Sequence, residues 1–250
     1  MKKIKFFSYI IGCIGLSYAC VACSLFEKEE GYKDDPNRGL VMRYTFDSET
    51  AEDSSPKECD GILINNPNFI SDTPNGIGKA LFINGIKEQS VNIPYNPTAD
   101  STCYSMCFWL KDFTTGNIVA SFDSSNRRSA FNLVALVDNR NFQFNTRHQD
   151  YKDDGVSILN GYDYTDIQQG AWHHIAFVVS QNETENALSL YIDGILSDKQ
   201  SWRYSESSAI KLQIGDNSDG IVSFKMDNFR LYNRSLTRNE VKMIYNSEKK

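Results

Sequence analysis

Two stretches of this 250-residue chain set aromatic rings among hydrogen-bonding side chains in a polar, loop-like context. One is Arg147 to Tyr164, with His148, Tyr151, Tyr162 and Tyr164; the other is Trp202-Arg203-Tyr204. Groups of this kind do the chemistry of sugar recognition, in which a flat ring faces the apolar C–H side of a pyranose and neighbouring groups bond its hydroxyls. Trp202 follows Lys199-Gln200-Ser201, a polar run with no evident core to fill, so it reads equally as a stacking platform or as a ring closing a sheet edge. The acids offer less. Asp150, Asp153 and Asp154, and Asp216 and Asp219, sit among Gly and Asn, where solvated loop carboxylates are the ordinary case. His173 and His174 are adjacent in an extended run and must point to opposite faces, which denies them a shared metal. No Gly-x-Ser-x-Gly, His-Glu-x-x-His or phosphate loop occurs, so no catalytic and no metal-binding residue is assigned.

Composition narrows the partners. With 26 Lys plus Arg against 32 Asp plus Glu, the net charge is −6, and nothing in it suits nucleic-acid phosphates. At 40% apolar and 12% aromatic residues the chain can bury a sizeable core, and one domain with a tail is the expectation.

The beginning of the chain reads as an export signal. Met1 to Lys5 is cationic, and Phe6 to Ala22 carries no charge and ends in small residues before Cys23. The uncharged run is at the lower limit for crossing a bilayer, so a transmembrane anchor is the second reading. Cys20-Val21-Ala22-Cys23 resembles the lipobox of bacterial lipoproteins, although Cys20 stands where Leu is usual. The resemblance implies a signal over residues 1–22 and lipid attachment at Cys23, with Cys20 the weaker alternative. It also implies anchorage to the outer membrane, and the acidic stretch from Glu27 to Asp35 resembles tethers that route such proteins to the cell surface. Residues 23–38 are then an acidic disordered spacer. Removal of residues 1–22 takes three lysines and no acid, leaving −9. Only Cys59, Cys103 and Cys107 remain for the fold. Cys103 and Cys107 lie on one strand face but roughly 13 Å apart, too far to bridge; Cys59 with Cys103, or three free thiols, both stay open.

From Gly39 the apolar pattern alternates with short breaks. It predicts strands at Leu40–Phe46, Ala80–Ile83, Ser90–Ile93, Ser105–Lys111, Ile118–Phe122, Phe131–Val137, Asn141–Arg147, His173–Val179, Ala187–Ile192, Ile210–Ile214 and Phe224–Tyr232. Such spacing without long helical patterns means an antiparallel sandwich or barrel. Asp193-Gly194 between alternating runs predicts a type I′ hairpin, and Asp138 to Asn141 another. Thr237-x-x-Glu240 followed by Val241, Ile244 and Tyr245 predicts a capped terminal helix. Trp109 and Trp172, in or beside apolar strands, are expected in the core or between sheets.

Five segments in order resemble the laminin-G-like jelly roll of the concanavalin A-like lectin and glucanase superfamily. They are Gly39 to Asp47 with Asp53-Ser54-Ser55 and Asp60-Gly61; Gly78 to Gly85 with Val91 to Pro94; Ser105 to Lys111; Trp172 to Ala176 with Leu190 to Gly194; and Ile214-Gly215 with Met226 to Leu236. The resemblance spans residues 39–247 and implies an all-β, antiparallel two-sheet jelly-roll sandwich with a short C-terminal helix. Glucanases of the superfamily carry Glu-x-Asp-x-x-Glu on a strand; this chain has no such run. A non-catalytic module that binds carbohydrate is therefore expected, with a protein-interaction subunit of a surface complex as the alternative and a glycoside hydrolase third. No cofactor is required. A structural Ca²⁺ would need about six oxygens, and Asp47, Asp53, Asp60 and Asp227 could contribute only if the first and last strands lie together.

Overall fold

Runs of Val, Ile, Leu and Phe alternating with small or polar residues become strands because one pleated face can be buried while the other meets solvent. The computed structural model describes residues 33–85, 88–95, 103–125, 128–136, 141–147, 155–159, 169–181, 186–201, 209–216 and 222–250. In chain order the strands are β1 (Leu40–Tyr44), β2 (Ile62–Ile64), β3 (Asn68–Ile70), β4 (Ala80–Asn84), β5 (Ser90–Ile93), β6 (Tyr104–Lys111), β7 (Gly116–Phe122) and β8 (Arg128–Leu136). They continue as β9 (Asn141–Arg147), β10 (Gly155–Leu159), β11 (His173–Gln181), β12 (Asn186–Ile192), β13 (Ile195–Ser201), β14 (Lys211–Asp216) and β15 (Ser223–Tyr232). A helix, α1 (Arg238–Glu248), follows.

All pairings are antiparallel, and they form two sheets. The eight-stranded sheet runs β13-β12-β11-β6-β15-β4-β3, with β1 also paired to β15; the seven-stranded sheet runs β10-β9-β8-β7-β14-β5-β2. The expected jelly-roll sandwich is present. Four short or polar strands, β2, β3, β10 and β13, are additional to the sequence pattern. Three residues of Ile62–Ile64 hold too little alternation to read, and β13, largely exposed, has no apolar face.

The main core lies between the sheets. Phe108, Phe177, Phe224, Phe229 and Leu190 from one sheet meet Phe142, Phe144, Leu212, Ile214 and Val91 from the other. Phe142 stands edge-on to Phe177, ring centres 6.0 Å apart, and joins the sheets. Burying each such ring is worth roughly 1.5–3 kcal/mol. A second core forms on the back of the eight-stranded sheet, where Val241, Ile244 and Leu236 cover Cys107, Ala176, Val178 and Tyr232.

The local signals operate as expected. Asp193 and Gly194 take φ of 51° and 77°, the left-handed pair that a type I′ turn requires. Thr237 accepts a bond from the Glu240 N–H while Glu240 accepts one from the Thr237 N–H, so the capping box is closed. None of Cys59, Cys103 and Cys107 forms a disulfide. Among the described residues no helix is long and apolar enough to cross a membrane.

Candidate functional site

His148, Tyr151, Tyr162, Tyr164, Trp202 and Tyr204 lie outside the described residues, as does Cys23. Their attachment points are described. Arg147 ends β9 opposite Ala130, and β10 resumes at Gly155 opposite Thr146. Lys211 opens β14 opposite Phe122, and the Ile210 N–H donates to the Phe122 carbonyl, bringing the chain across from the end of β13 at Ser201. Edge strands β10 and β13 adjoin. The connections carrying His148 and Tyr151, and Trp202 and Tyr204, thus leave from one end of the sandwich. Leu159 and Gln169, which flank Tyr162 and Tyr164 in the chain, lie at the other end, where the Gly170 N–H bonds Asp112. Topology therefore divides the attachment points of the candidate residues into two groups.

Between these ends lies the outward face of the seven-stranded sheet. Val91, Ile93, Leu212, Ile214, Val119, Leu133, Phe142 and Phe144 point into the core, so the intervening positions make the outer face. One register row crosses all seven strands: Ile62, Asn92, Gln213, Ala120, Asn132, Asn145, Val156. Four of its seven positions are amides. The Asn92 Oδ1 is buried with no hydrogen-bond partner, and the Gln213 Nε2 donates to the Gly215 carbonyl at 3.3 Å. Next to this row Phe122 is only 4% exposed, with the Lys211 ammonium 5.3 Å above its ring. The register position of Arg147 is on the same face. Among the residues of these seven strands the sole acid is Asp216, at the end of β14. Paired carboxylates at glycosidase separation cannot come from this sheet. The amide row was missed in the sequence because each amide is a lone polar residue in its own strand; only cross-strand register assembles it.

The opposite, outer face of the eight-stranded sheet is closed by its own polar contacts. Trp109 is buried, but beneath α1 and not between the sheets: its ring lies 5.6 Å from Tyr245 and its Nε1–H donates to Glu248 at 2.9 Å. Alternation fixes this, since Phe108 and Leu110 take the inner face. Trp172 is likewise outside the inter-sheet core, half-buried, with its Nε1–H on Asp72 at 3.0 Å and the Lys111 ammonium 5.9 Å from its ring. Burial alone would raise Asp72, but hydrogen bonds from Lys111, Trp172 and Lys225 hold it down at about 2. His173 and His174 do point to opposite faces. His173 Nδ1 meets Asp193 at 2.8 Å, while His174 is wholly buried against Trp109.

The four candidate calcium carboxylates are otherwise engaged, although β1 and β15 do lie together. Asp53 accepts from the N–H groups of Arg43, Ser55 and Cys59; Asp60 accepts from the Asp53 N–H, and Asp47 from the Lys79 N–H. A side chain on Gly78, at φ 78°, would strike Asp47. Among the described residues no cluster of three or more His, Cys, Asp or Glu is placed to hold a metal. Asp227 bonds the Asn228 N–H, and burial pushes its carboxyl up to about 8. The folded state therefore holds a proton that the unfolded chain releases above about pH 4, so this group costs stability as pH rises toward 8. Asp227→Asn, which keeps the acceptor, is expected to fold and to gain a few kcal/mol over the native chain near about pH 9. Urea unfolding across pH reads this; equal pH slopes for the two proteins would show Asp227 ionised in the fold.

A two-sheet antiparallel sandwich with a core between the sheets, a helix on its back and an amide-bearing front defines a lectin-like jelly roll. The family model of the concanavalin A-like lectin/glucanases superfamily matches residues 84–242, more than half of the chain, and the chain belongs to that superfamily. Similar solved structures include the binding domain of Paraclostridial Mosquitocidal Protein 1, at TM-score 0.67 and 16% identity over 85% of this chain. The binding domain of Botulinum Neurotoxin DC is similar both in complex with SialylT (TM-score 0.68, 13% identity, 86% of this chain) and in complex with rat synaptotagmin II (0.66, 14%, 86%). This chain covers 53% of each of those chains. No curated protein matches.

Proposed function

We propose that this protein is a non-catalytic, surface-tethered module that binds carbohydrate on the outer face of its seven-stranded sheet. The carrying observation is the register row of amides with an unpaired, buried Asn92 Oδ1 on a sheet whose strands carry no acid except the terminal Asp216. Amides both donate and accept, which suits hydroxyls, and a buried acceptor without a donor gains a full hydrogen bond when a sugar O–H reaches it. Phe122 and Lys211 flank the middle of the row on the side toward the end of the sandwich where the connections carrying His148, Tyr151, Trp202 and Tyr204 are attached.

The tether is part of the reading. The lipobox-like Cys23 and the acidic residues after it support a lipid anchor in the outer membrane with the domain facing outward. That the similar toxin domain was solved with SialylT supports a glycan ligand, and its complex with synaptotagmin II favours a protein ligand as the second reading.

A glycan array decides. The native protein is expected to retain a defined set of glycans, and Asn92→Ala with Gln213→Ala is expected to weaken retention at least about tenfold, the loss of one to two hydrogen bonds. Trp202→Ala adds an arm: lost binding at unchanged stability makes it a platform, while a large stability loss makes it packing. No glycan retained, together with a cross-linked protein captured from intact cells, would replace the carbohydrate reading by the protein one.

A further inference from the structure

Helix α1 turns both of its acids inward. Glu240 is fully buried, accepting from the Thr237 N–H, the Asp35 N–H and Arg234; Glu248 is buried against Trp109 and Arg230. The charged side chains left outward on the helix and the two residues after it are Arg238, Lys242, Lys249 and Lys250, all exposed and all cationic. This happens on a chain of net charge −6. Apolar side chains stand among the cations. Met243 is 43% exposed on the helix. Ile195, at 65%, follows Gly194, where a Cβ would lie 3.1 Å from Tyr245 of the helix. The Lys250 ammonium lies 3.3 Å from the corresponding point on Gly76, beside Ile77 at 74% exposure. The acids at this rim are Asp193, held by the His173 ring and the His174 N–H, Asp198 on β13, and Asp35, whose N–H bonds Glu240. Next to Ile77 are Asp47, which accepts from the Lys79 N–H, and Glu49, paired with the Lys79 ammonium.

Exposed aliphatic tips among lysines and arginines are the composition of a surface that rests in a bilayer interface: the cations meet headgroup phosphates and the tips enter the acyl boundary. We propose that the outward side of α1, with Ile195 and Ile77, docks against an anionic lipid bilayer. Two further placements agree. The helix covers the back of the eight-stranded sheet, so docking it on a membrane turns the amide row outward. The chain also enters the domain at this rim, since the Asp35 N–H bonds Glu240 at 3.0 Å. Eleven residues lie between Cys23 and Asp35, a reach of at most about 40 Å. The inference thus rests on the anchored reading and adds an orientation to it: one face down, the binding face out.

The segment Asp35–Lys250 contains both sheets, both cores and α1 and forms one compact unit, so it can be tested without an anchor. It is floated with vesicles of phosphatidylcholine alone and of phosphatidylcholine with phosphatidylglycerol, at low and high salt. The expected result is flotation only with the anionic vesicles, weakened by salt. Lys242→Glu with Lys249→Glu is expected to weaken it at least about 20-fold, given a factor of about five per basic residue at an anionic surface. Lys57→Glu, exposed elsewhere, should leave it unchanged. Equal flotation on neutral vesicles, no effect of the double reversal, or retention on heparin without flotation would each overturn the proposal. The anchor is read separately, by mass spectrometry for an acyl group on Cys23 of the full chain, so failure of one reading is distinguishable from failure of the other.

Discussion

Glu248→Ala is expected to lower the unfolding free energy by about 3–5 kcal/mol, the cost of removing one partner from a buried ion pair. Glu248 sits in the last turn of α1, where the helix dipole disfavours a carboxylate, and burial pushes its carboxyl up. It is held there by two specific partners. One carboxylate oxygen pairs with the Arg230 guanidinium, and the other accepts the Trp109 indole N–H at 2.9 Å. Alanine leaves the Arg230 charge buried without its counter-ion and the indole N–H without an acceptor. It also loosens the helix end that covers Trp109 and His174. Glu248→Gln keeps an acceptor for Trp109 and should fall between. The check is urea unfolding, with the midpoint lowered and the slope unchanged. A loss below about 1 kcal/mol, the range of exposed pairs, would mean that water reaches the pair.

Acid should destabilise this protein through His174, and His174→Phe should remove that part of the sensitivity. The imidazole is wholly buried, 5.5 Å from Trp109 and 6.0 Å from Tyr245, and neither ring nitrogen has a hydrogen-bond partner. Burial first, and the nearby Arg230 charge second, lower it to about 3, with Asp193 opposing weakly. The unfolded chain then binds a proton near pH 6.5 that the folded protein refuses until about pH 3. The stability from this site is complete above pH 6.5 and is lost as pH falls, at about 1.4 kcal/mol per pH unit. By about pH 4.5 the native chain should have lost about 3 kcal/mol relative to His174→Phe. Acids such as Asp72 and Glu240, which also give up stability in acid, are common to both proteins and cancel in the difference. Parallel stability curves would show that the ring is protonated in the fold.

Much of the fold is legible along the chain because its causes are local. Asp193-Gly194 can adopt left-handed φ cheaply, Thr237 and Glu240 cap a helix without help, and alternation at Leu188-x-Leu190-x-Ile192 marks a strand wherever it pairs. Trp109 shows the limit. Alternation says that it faces away from Phe108 and Leu110, but not that a helix well over a hundred residues later covers that side. Its expected burial holds, but the helix and not the facing sheet provides it. The same holds for the candidate site. Tyr162 and Trp202 look alike as loop aromatics, yet the strand ends that hold them belong to opposite ends of the sandwich.

The sequence by itself determined the antiparallel class, the turns, the terminal helix and the want of a carboxylate triad, each carried by residues within a few positions of one another. The tertiary structure alone decided which lone polar residues become neighbours. Asn92, Gln213, Asn132 and Asn145 come from four separate strands, and only hydrogen-bond register puts them in line. It decided as well that the acids of α1 face inward and its lysines outward: Arg234 reaches Glu240 across a few residues of chain, but Arg230 on β15 and the distant Trp109 on β6 meet Glu248 only because α1 packs on their sheet.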